Sequence, residues 1–426
     1  VIVVAGAGIA GLALAGALHR AGTPVQVYEE RPAPAPTGAG ITLWPNASAA
    51  LAALGIADAV SGLGRPVAVG GIRRADGRWV RRIDPDRLDR ALGGTPIVVD
   101  RQELIAALAG ELDRAGRVRF GVGVRGYRHD GAAVAVELAD GSTVAATALV
   151  GADGYRSAVA RRLDGRITER YSGYTAWRGV ADLDCTGHEP FQAWAPGLEF
   201  GFLPMRDKRT YWFAAARTAP GDTDTAASEL HRIFAGWPDP ITALLAHTRP
   251  AAIFRHDIYD RTVPRRWTAG RVALIGDAAH PMRPHLGQGG CQALVDAAVL
   301  ARLIGGPPQV TAAGQITAAV PITAAVPITA AVPITTAFER YAATRRRAAL
   351  RCVRQSALAG RMLLGPHLAL LAARTMAART PETVALRALG TIASKQAGAI
   401  PGGSSRPNRA GREPYAPRLR GRTMAD

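Results

Sequence analysis

Three turns that pair glycine with an acid are the residues of this chain whose types and spacing could do chemistry. The first is Gly6-Ala7-Gly8-Ile9-Ala10-Gly11, set between an apolar run and a helical pattern. Gly6 permits a tight turn, Gly8 lets the backbone approach a pyrophosphate, and Gly11 allows close packing of helix on strand. Glu29 lies eighteen residues beyond Gly11, where a carboxylate can accept hydrogen bonds from both ribose hydroxyls. The second turn, Asp153-Gly154-Tyr155-Arg156-Ser157, is weak alone because Asp-Gly is a common turn. The third is the most informative. Ala273-Leu274-Ile275-Gly276-Asp277-Ala278-Ala279-His280-Pro281 delivers a carboxylate to a loop where it can hold a polyol, and Gly287-Gln288-Gly289-Gly290 then opens a helix. Free N–H groups and the positive dipole end of that helix favour a negatively charged group.

These turns need strands and helices to hold them. Val1 to Val4 reads as a buried parallel strand, Ile9 to Ala21 as a helix with a face of small residues, and Val25 to Tyr28 as the next strand. That is a βαβ unit. Leu51 to Leu54, Glu103 to Leu112 and Ala293 to Ile304 carry helical patterns, Ala133 to Leu138 alternates like a hairpin strand, and Ala148 to Val150 leads into the second turn. The nucleotide motif alone does not separate nicotinamide from flavin dinucleotides. All three turns together point to a flavin, whose N1–C2=O edge becomes anionic on reduction and is stabilised by a helix N-terminus.

Between Tyr171 and Ile258 the texture changes. Aromatic residues become dense (Tyr174, Trp177, Phe191, Trp194, Phe200, Phe202, Tyr211, Trp212, Phe213) and period-two runs replace helical ones, which predicts an antiparallel sheet. The expected organisation is therefore a discontinuous nucleotide domain over 1–170 and 259–309, an inserted sheet domain over 171–258, and a helical region over 337–400. A mobile tail is expected over 401–426, which is rich in Gly, Pro, Ser and Arg. Residues 310–336 form a repeat of period six, with Ile-Thr-Ala-Ala-Val-Pro three times over 316–333. A proline every sixth residue excludes a continuous helix, and replication slippage in a surface loop accounts for it.

Composition sets limits. The length of 426 residues allows two to three domains, and 48% hydrophobic content suits a soluble globular protein. The formal charge of +18 is not a nucleic-acid signal: Lys208 and Lys395 are the only lysines among 52 basic residues, and the arginines accompany the high Ala, Gly and Pro of a GC-rich coding sequence. No interleaving of aromatic and basic residues or zinc spacing accompanies them. Three distant cysteines, Cys185, Cys291 and Cys352, argue for a reducing compartment and against a disulfide framework or a metal site. Val1 already belongs to the first strand, so no signal peptide is expected. The best membrane candidate, Ala357 to Ala373, is interrupted by Arg361, Gly365, Pro366 and His367 and cannot span. A cytoplasmic monomer or homodimer is expected.

On these motifs the chain resembles the single-component FAD-dependent aromatic hydroxylases of the para-hydroxybenzoate hydroxylase type, nearest their salicylate hydroxylase, urate hydroxylase and zeaxanthin epoxidase branch. Gly38–Asn46, Arg101–Leu104, Tyr171–Gly179 and Gly276–Asp296 carry the likeness beside the three turns, and it covers roughly residues 1–365. Val295 departs from it, standing where an acidic residue usually precedes Asp296. The resemblance implies an α/β fold: a Rossmann-like FAD-binding domain with an inserted antiparallel sheet for the substrate and C-terminal helices. It implies non-covalent FAD held by Gly6, Gly8, Gly11, Glu29, Arg101 toward the pyrophosphate, Val124, Asp277 and the Gly287, Gln288, Gly289, Gly290 loop. Thr42 would line the flavin, and Asp153 would belong to a turn shared by FAD and the nicotinamide donor. NADPH or NADH would reduce the flavin, O2 would add at C4a, and the hydroperoxide would transfer one oxygen atom to the substrate.

The catalytic candidates are Tyr211, His280 and Pro281, the last two placed where relatives line the reactive face of the flavin. A structural role for His280, bonding the loop backbone, is the competing reading. Substrate candidates are Trp177 and Phe202 as walls and Glu199 as a charge that repels anions. They suggest a hydrophobic, electron-rich aromatic or terpenoid substrate of a natural-product tailoring enzyme. Alternatives are a non-oxygenating flavin reductase or oxidase of the same fold, or a non-catalytic flavoprotein.

The repeat yields a first test. Deleting residues 316–333 removes three whole repeats, and loop closure varies slowly with length, so unfolding free energy should stay within about 1 kcal/mol of the parent. Collapse of folding in a denaturant titration would show that the repeat packs on the core.

Overall fold

The computed structural model describes residues 1–34, 39–130, 132–221, 226–305 and 332–394. Ile2–Ala5 is buried at all four positions, as a strand covered on both faces must be. It pairs in parallel with Val25–Tyr28 on one side and Ala148–Gly151 on the other. Val272–Leu274 and Val118–Arg119 extend the sheet in parallel, and Thr268–Ala269 closes one edge antiparallel, making six strands. Gly6 follows Ala5, Asp153 follows Gly151 and Asp277 follows Leu274 within three residues. The three turns therefore sit at the carboxyl ends of neighbouring strands, the edge where open parallel sheets bind ligands. Helices Ile9–Arg20 and Gly289–Gly305 pack on each other over this sheet.

The second large sheet has seven strands, in the order Phe254–Arg261, Glu169–Ala181, Thr210–Ala216, Leu198–Pro204, Gln192–Ala195, Gly71–Arg74 and Trp79–Arg82. The last two differ from the expectation of one inserted stretch over 171–258. They come from a short hairpin around Gly77 whose strands are rich in arginine (Arg73, Arg74, Arg81, Arg82), and Gly71–Arg74 joins Gln192–Ala195 in parallel. No alternating apolar pattern marks that hairpin in the sequence. The sheet's far face packs Trp177, Phe200, Phe202 and Trp212 against helices Ala226–Ile233 and Ile241–Ala246.

Helix Ile334–Leu364 buries Phe338, Tyr341 and Ala349 in the core of the first sheet, and the Tyr341 hydroxyl donates to the Leu274 carbonyl at 3.0 Å. Helices His367–Arg379 and Glu382–Ala393 follow. The period-six repeat lies outside the described residues except for 332–336, and the expected tail lies outside them entirely.

Asp296, fully buried, joins these pieces. Its Oδ2 accepts from Gly276 N at 3.0 Å and meets His280 Nε2 at 2.5 Å, while its Oδ1 accepts from Arg345 Nε at 2.7 Å. Burial alone would raise this carboxyl, but His280 and Arg345 outweigh it and bring it down to about 2. A depressed acid contributes stability above its unfolded pKa near 4 and loses it as pH falls toward 2. Arg345→Met should therefore cost about 3–5 kcal/mol at neutral pH, because it strips a buried carboxylate of its guanidinium. Its deficit relative to the parent should shrink as pH drops from about 4 to about 2, read from denaturant midpoints. A deficit under 1 kcal/mol would remove this ion pair from the account.

Candidate active site

The three glycines of the first turn have distinct tasks. Gly6 has a φ of +98°, and a Cβ there would lie 2.6 Å from the Ala152 carbonyl oxygen. A Cβ at Gly11 would lie 2.0 Å from the Gly6 oxygen. Both positions serve close packing. Gly8 is different: nothing lies within 4 Å of its would-be Cβ, and its φ is an ordinary −82°. It is the N-cap of helix Ile9–Arg20, with no side chain capping the helix and no acid in its first turn. Open space in front of free helix N–H groups is what a phosphate needs. Glu29 stands beside it, with Oε2 accepting from Ala7 N at 2.8 Å and Oε1 from Arg31 N at 3.0 Å. Each oxygen keeps a second lone pair for a ribose hydroxyl. Val124 begins a strand just after Val122, whose N–H donates to the Glu29 carbonyl, so it too lies at this end.

The second turn starts a helix. Asp153 accepts from Ser157 Oγ at 2.5 Å, Ala158 N at 2.8 Å and Val159 N at 3.2 Å. These bonds tie its carboxylate to helix Ala158–Leu163, and burial raises its pKa against them. Arg261 joins this turn to the third, donating to the carbonyls of Tyr155 at 2.6 Å, Asp277 at 3.0 Å and Ala278 at 2.7 Å. From Val272 to His280 every residue is buried except Asp277, which is exposed. A buried strand and turn thus present an exposed carboxylate. Gly287, with φ +60°, is exposed, and Gly289 and Gly290 are half-buried where the next helix begins. Gln288 is buried, its Oε1 accepting from Asn46 Nδ2 and Gln292 Nε2, so its side chain anchors the loop. Thr42 is half-buried on the strand Gly40–Leu43 beside that helix.

His280 is turned into the core. It is fully buried, bound to Asp296 and tilted against Trp267, so it braces the Gly276 turn as a structural residue. Pro281, also buried, continues the same turn. Trp177 and Phe202 are corrected as well. Successive side chains of a strand alternate between faces, and both fall in the far core with Phe191, Phe200 and Trp212. They cannot wall a site facing the first sheet. Glu199 lies on the near face but is buried, its Oε2 bound to His285 Nδ1 at 2.8 Å, with His285 Nε2 at 3.0 Å from the Tyr174 hydroxyl. It is not a charge presented to an incoming anion.

Tyr211 is brought to the near face. Its ring lies so close to Gly40 that a Cβ there would be 2.3 Å away, and Val67, Val98, Val180, Leu203, Met205 and Phe213 surround it. Burial raises its phenol above the ordinary tyrosine range, against the nearby cations of Arg178 and Arg101. Arg101 keeps solvent access while its surroundings lower its pKa, Arg178 adding to that effect and Asp277 opposing it. His256 is also open to solvent, yet the protein around it and the cations of Arg178 and Arg101 push its imidazole down to about 4. Asp277, Arg101, Arg178, Tyr211 and His256 thus form one electrostatic neighbourhood across the facing sheets. Sequence reasoning missed His256; the signal is its register opposite Ala176, two residues from Arg178 on the same face.

The residues present fit FAD: a glycine cradle with a free helix end, a ribose-side carboxylate at Glu29, a cation at Arg101 and an exposed carboxylate at Asp277. Gly8→Val separates folding from binding, since the space in front of Gly8 is open and its backbone is ordinary. The variant should keep the parent melting temperature measured without added FAD, yet lose at least about tenfold in FAD affinity by fluorescence titration, the β-branched side chain occupying the phosphate position. Unchanged affinity would displace the cofactor from this turn.

A family described as an FAD binding domain matches residues 1–315. The chain is 39% identical over 319 residues to the aurachin C monooxygenase/isomerase of Stigmatella aurantiaca, covering 73% of this chain and 82% of that protein. It is 35% identical over 317 residues to the 2-heptyl-3-hydroxy-4(1H)-quinolone synthase of Pseudomonas aeruginosa, covering 71% and 80%. The crystal structure of Klebsiella pneumoniae HpxO complexed with FAD and uric acid superimposes with a TM-score of 0.80 at 27% identity, over 92% of this chain and 96% of that one. A cofactor cradle of this geometry, matched over this length, makes the chain a member of the FAD-dependent monooxygenase family.

Proposed function

We propose that this protein consumes NADPH or NADH to insert one oxygen atom of O2 into a hydrophobic, electron-rich aromatic or isoprenoid substrate in natural-product biosynthesis. The observation that carries the reading is Tyr211, set in an apolar lining against Gly40 with the cations of Arg178 and Arg101 near its phenol. The name of one relative points the same way, since a heptyl quinolone is an electron-rich ring with an apolar chain.

Bound FAD supplies the electrons taken from the nicotinamide and the activation of O2. Gly8 and the helix behind it receive the pyrophosphate, Glu29 the adenosine ribose and Asp277 the ribityl chain. Arg101 adds positive charge beside the phosphates. The backbone of Gly289 and Gly290, at the start of a helix, stabilises negative charge on the flavin. The facing sheet covers this edge with apolar side chains, which exclude water and hold the acceptor ring in place. Because burial keeps Tyr211 protonated, its phenol orients a polar atom of the substrate by hydrogen bonding and does not remove a proton. His256, held neutral at physiological pH, can offer an uncharged ring nitrogen for hydrogen bonding at the open side of the cleft. Asp277→Ala tests the first part and should lose most of its bound flavin.

A panel of acceptors tests the reaction. A true substrate should accelerate NADPH or NADH oxidation while suppressing free peroxide; faster oxidation with all electrons released as peroxide, for every hydrophobic ring tried, would overturn the reading. With that substrate, Tyr211→Phe should keep its flavin but raise KM about tenfold, the worth of one hydrogen bond, and leak more peroxide. Unchanged KM and coupling would reduce Tyr211 to packing.

A further inference from the structure

Between Arg340 and Pro381 the chain carries nine arginines and no aspartate or glutamate. This stretch forms helices Ile334–Leu364 and His367–Arg379, which meet at a bend of 115° around Gly365 and Pro366. Two of the arginines are used internally: Arg345 binds Asp296, and Arg374 donates to the Trp194 carbonyl. Arg347, Arg351, Arg354 and Arg361 are exposed and fall on one stripe of the first helix at intervals of three, four and seven, with exposed Leu358 between them.

The second helix is apolar where a surface helix should be polar. Leu370, Ala373 and Ala377 turn inward, with Leu370 and Ala377 in the cluster of Trp194 and Ala215. Leu368, Leu371, Ala372, Thr375 and Met376 are all exposed and recur at helical spacing, ending in Arg379. Leu368 is 76% exposed and Met376 57%. Among the described residues, the only exposed large apolar side chains outside 358–384 are Val1, Tyr259 and Val332. Exposed apolar groups gathered in this way mark a surface that meets something.

We infer that this bent helix pair is a docking surface for an anionic lipid bilayer, lying in its interface with the arginines at the headgroups and the Leu368–Met376 stripe in the acyl boundary. Charge decides the occupant. A second copy of the chain would set an acid-free arginine stripe against itself, whereas anionic headgroups complement it. The pair is apolar enough for a membrane only when its two halves are taken together, and the bend prevents it from crossing as one helix. An apolar stripe flanked by arginines is the pattern of a helix that lies on the membrane surface. The inference does not depend on the oxygenation chemistry.

Co-sedimentation of the FAD-loaded full chain with vesicles tests it, using phosphatidylcholine alone or with about one third phosphatidylglycerol. Binding should require the anionic lipid and weaken as salt rises. Leu368→Glu with Leu371→Glu should lower the partition coefficient at least about tenfold, and Arg351→Gln and Arg354→Gln about fivefold each, with flavin content and melting temperature unchanged. Failure of the parent to sediment with anionic vesicles, or variants that sediment like the parent, would overturn the inference. So would a dimer, seen by light scattering, that the leucine variants split while vesicle binding stays absent.

Discussion

One buried carboxylate holds the cofactor edge of this protein in shape. Asp296 takes the Gly276 amide, the His280 ring and the Arg345 guanidinium at once. The first belongs to the turn that presents Asp277, the second to the loop behind it, and the third to the long helix that follows the repeat. An ion in such a place is tolerated only when every lone pair is met. Here the meeting of those lone pairs is what fixes the turn. Arg261 extends the same logic outward by tying the carbonyls of the second and third turns, so Asp277 stands exposed between buried neighbours.

The site is then assembled from two sheets with opposite economies of side chains. The parallel sheet contributes backbone: N–H groups at helix ends, glycines that leave room, and two carboxylates. The seven-stranded sheet contributes side chains, and strand parity sorts them. Trp177 and Phe202 go to the far core, while Arg178, Tyr211 and His256 go to the face that meets Gly40 and Arg101. Burial, with the cations of Arg178 and Arg101, depresses the His256 imidazole, and the same cations lie near a phenol that stays protonated. The chemistry of the site is thus set by which strand positions are odd and which are even, as much as by which residues are present.

That parity explains what was legible in the sequence. The three turns were, because glycine spacing, a strand before and a helix after are local signals. Glu29 and Asp277 follow from them directly. Roles that depend on pairing were not. Trp177 and Phe202 are as aromatic as Tyr211, and only the registers of Glu169–Ala181 and Leu198–Pro204 against Thr210–Ala216 show which of them shares a face with Arg178. His280 sits in the right motif but one shell too deep, because its partner Asp296 lies sixteen residues away and buried. The hairpin of Gly71–Arg74 and Trp79–Arg82 escaped notice because its strands are short and charged, and it is held by a distant neighbour, Gln192–Ala195.

The central claim is that these elements activate O2 at bound FAD and deliver one of its atoms to an apolar, electron-rich ring. Turnover under isotopically heavy O2 with NADPH or NADH, followed by mass spectrometry of the product, tests it most directly. The account predicts one heavy oxygen atom in the product per nicotinamide oxidised, with none entering from heavy water. A product carrying oxygen from water, or oxidised substrate with no added oxygen atom, would contradict it.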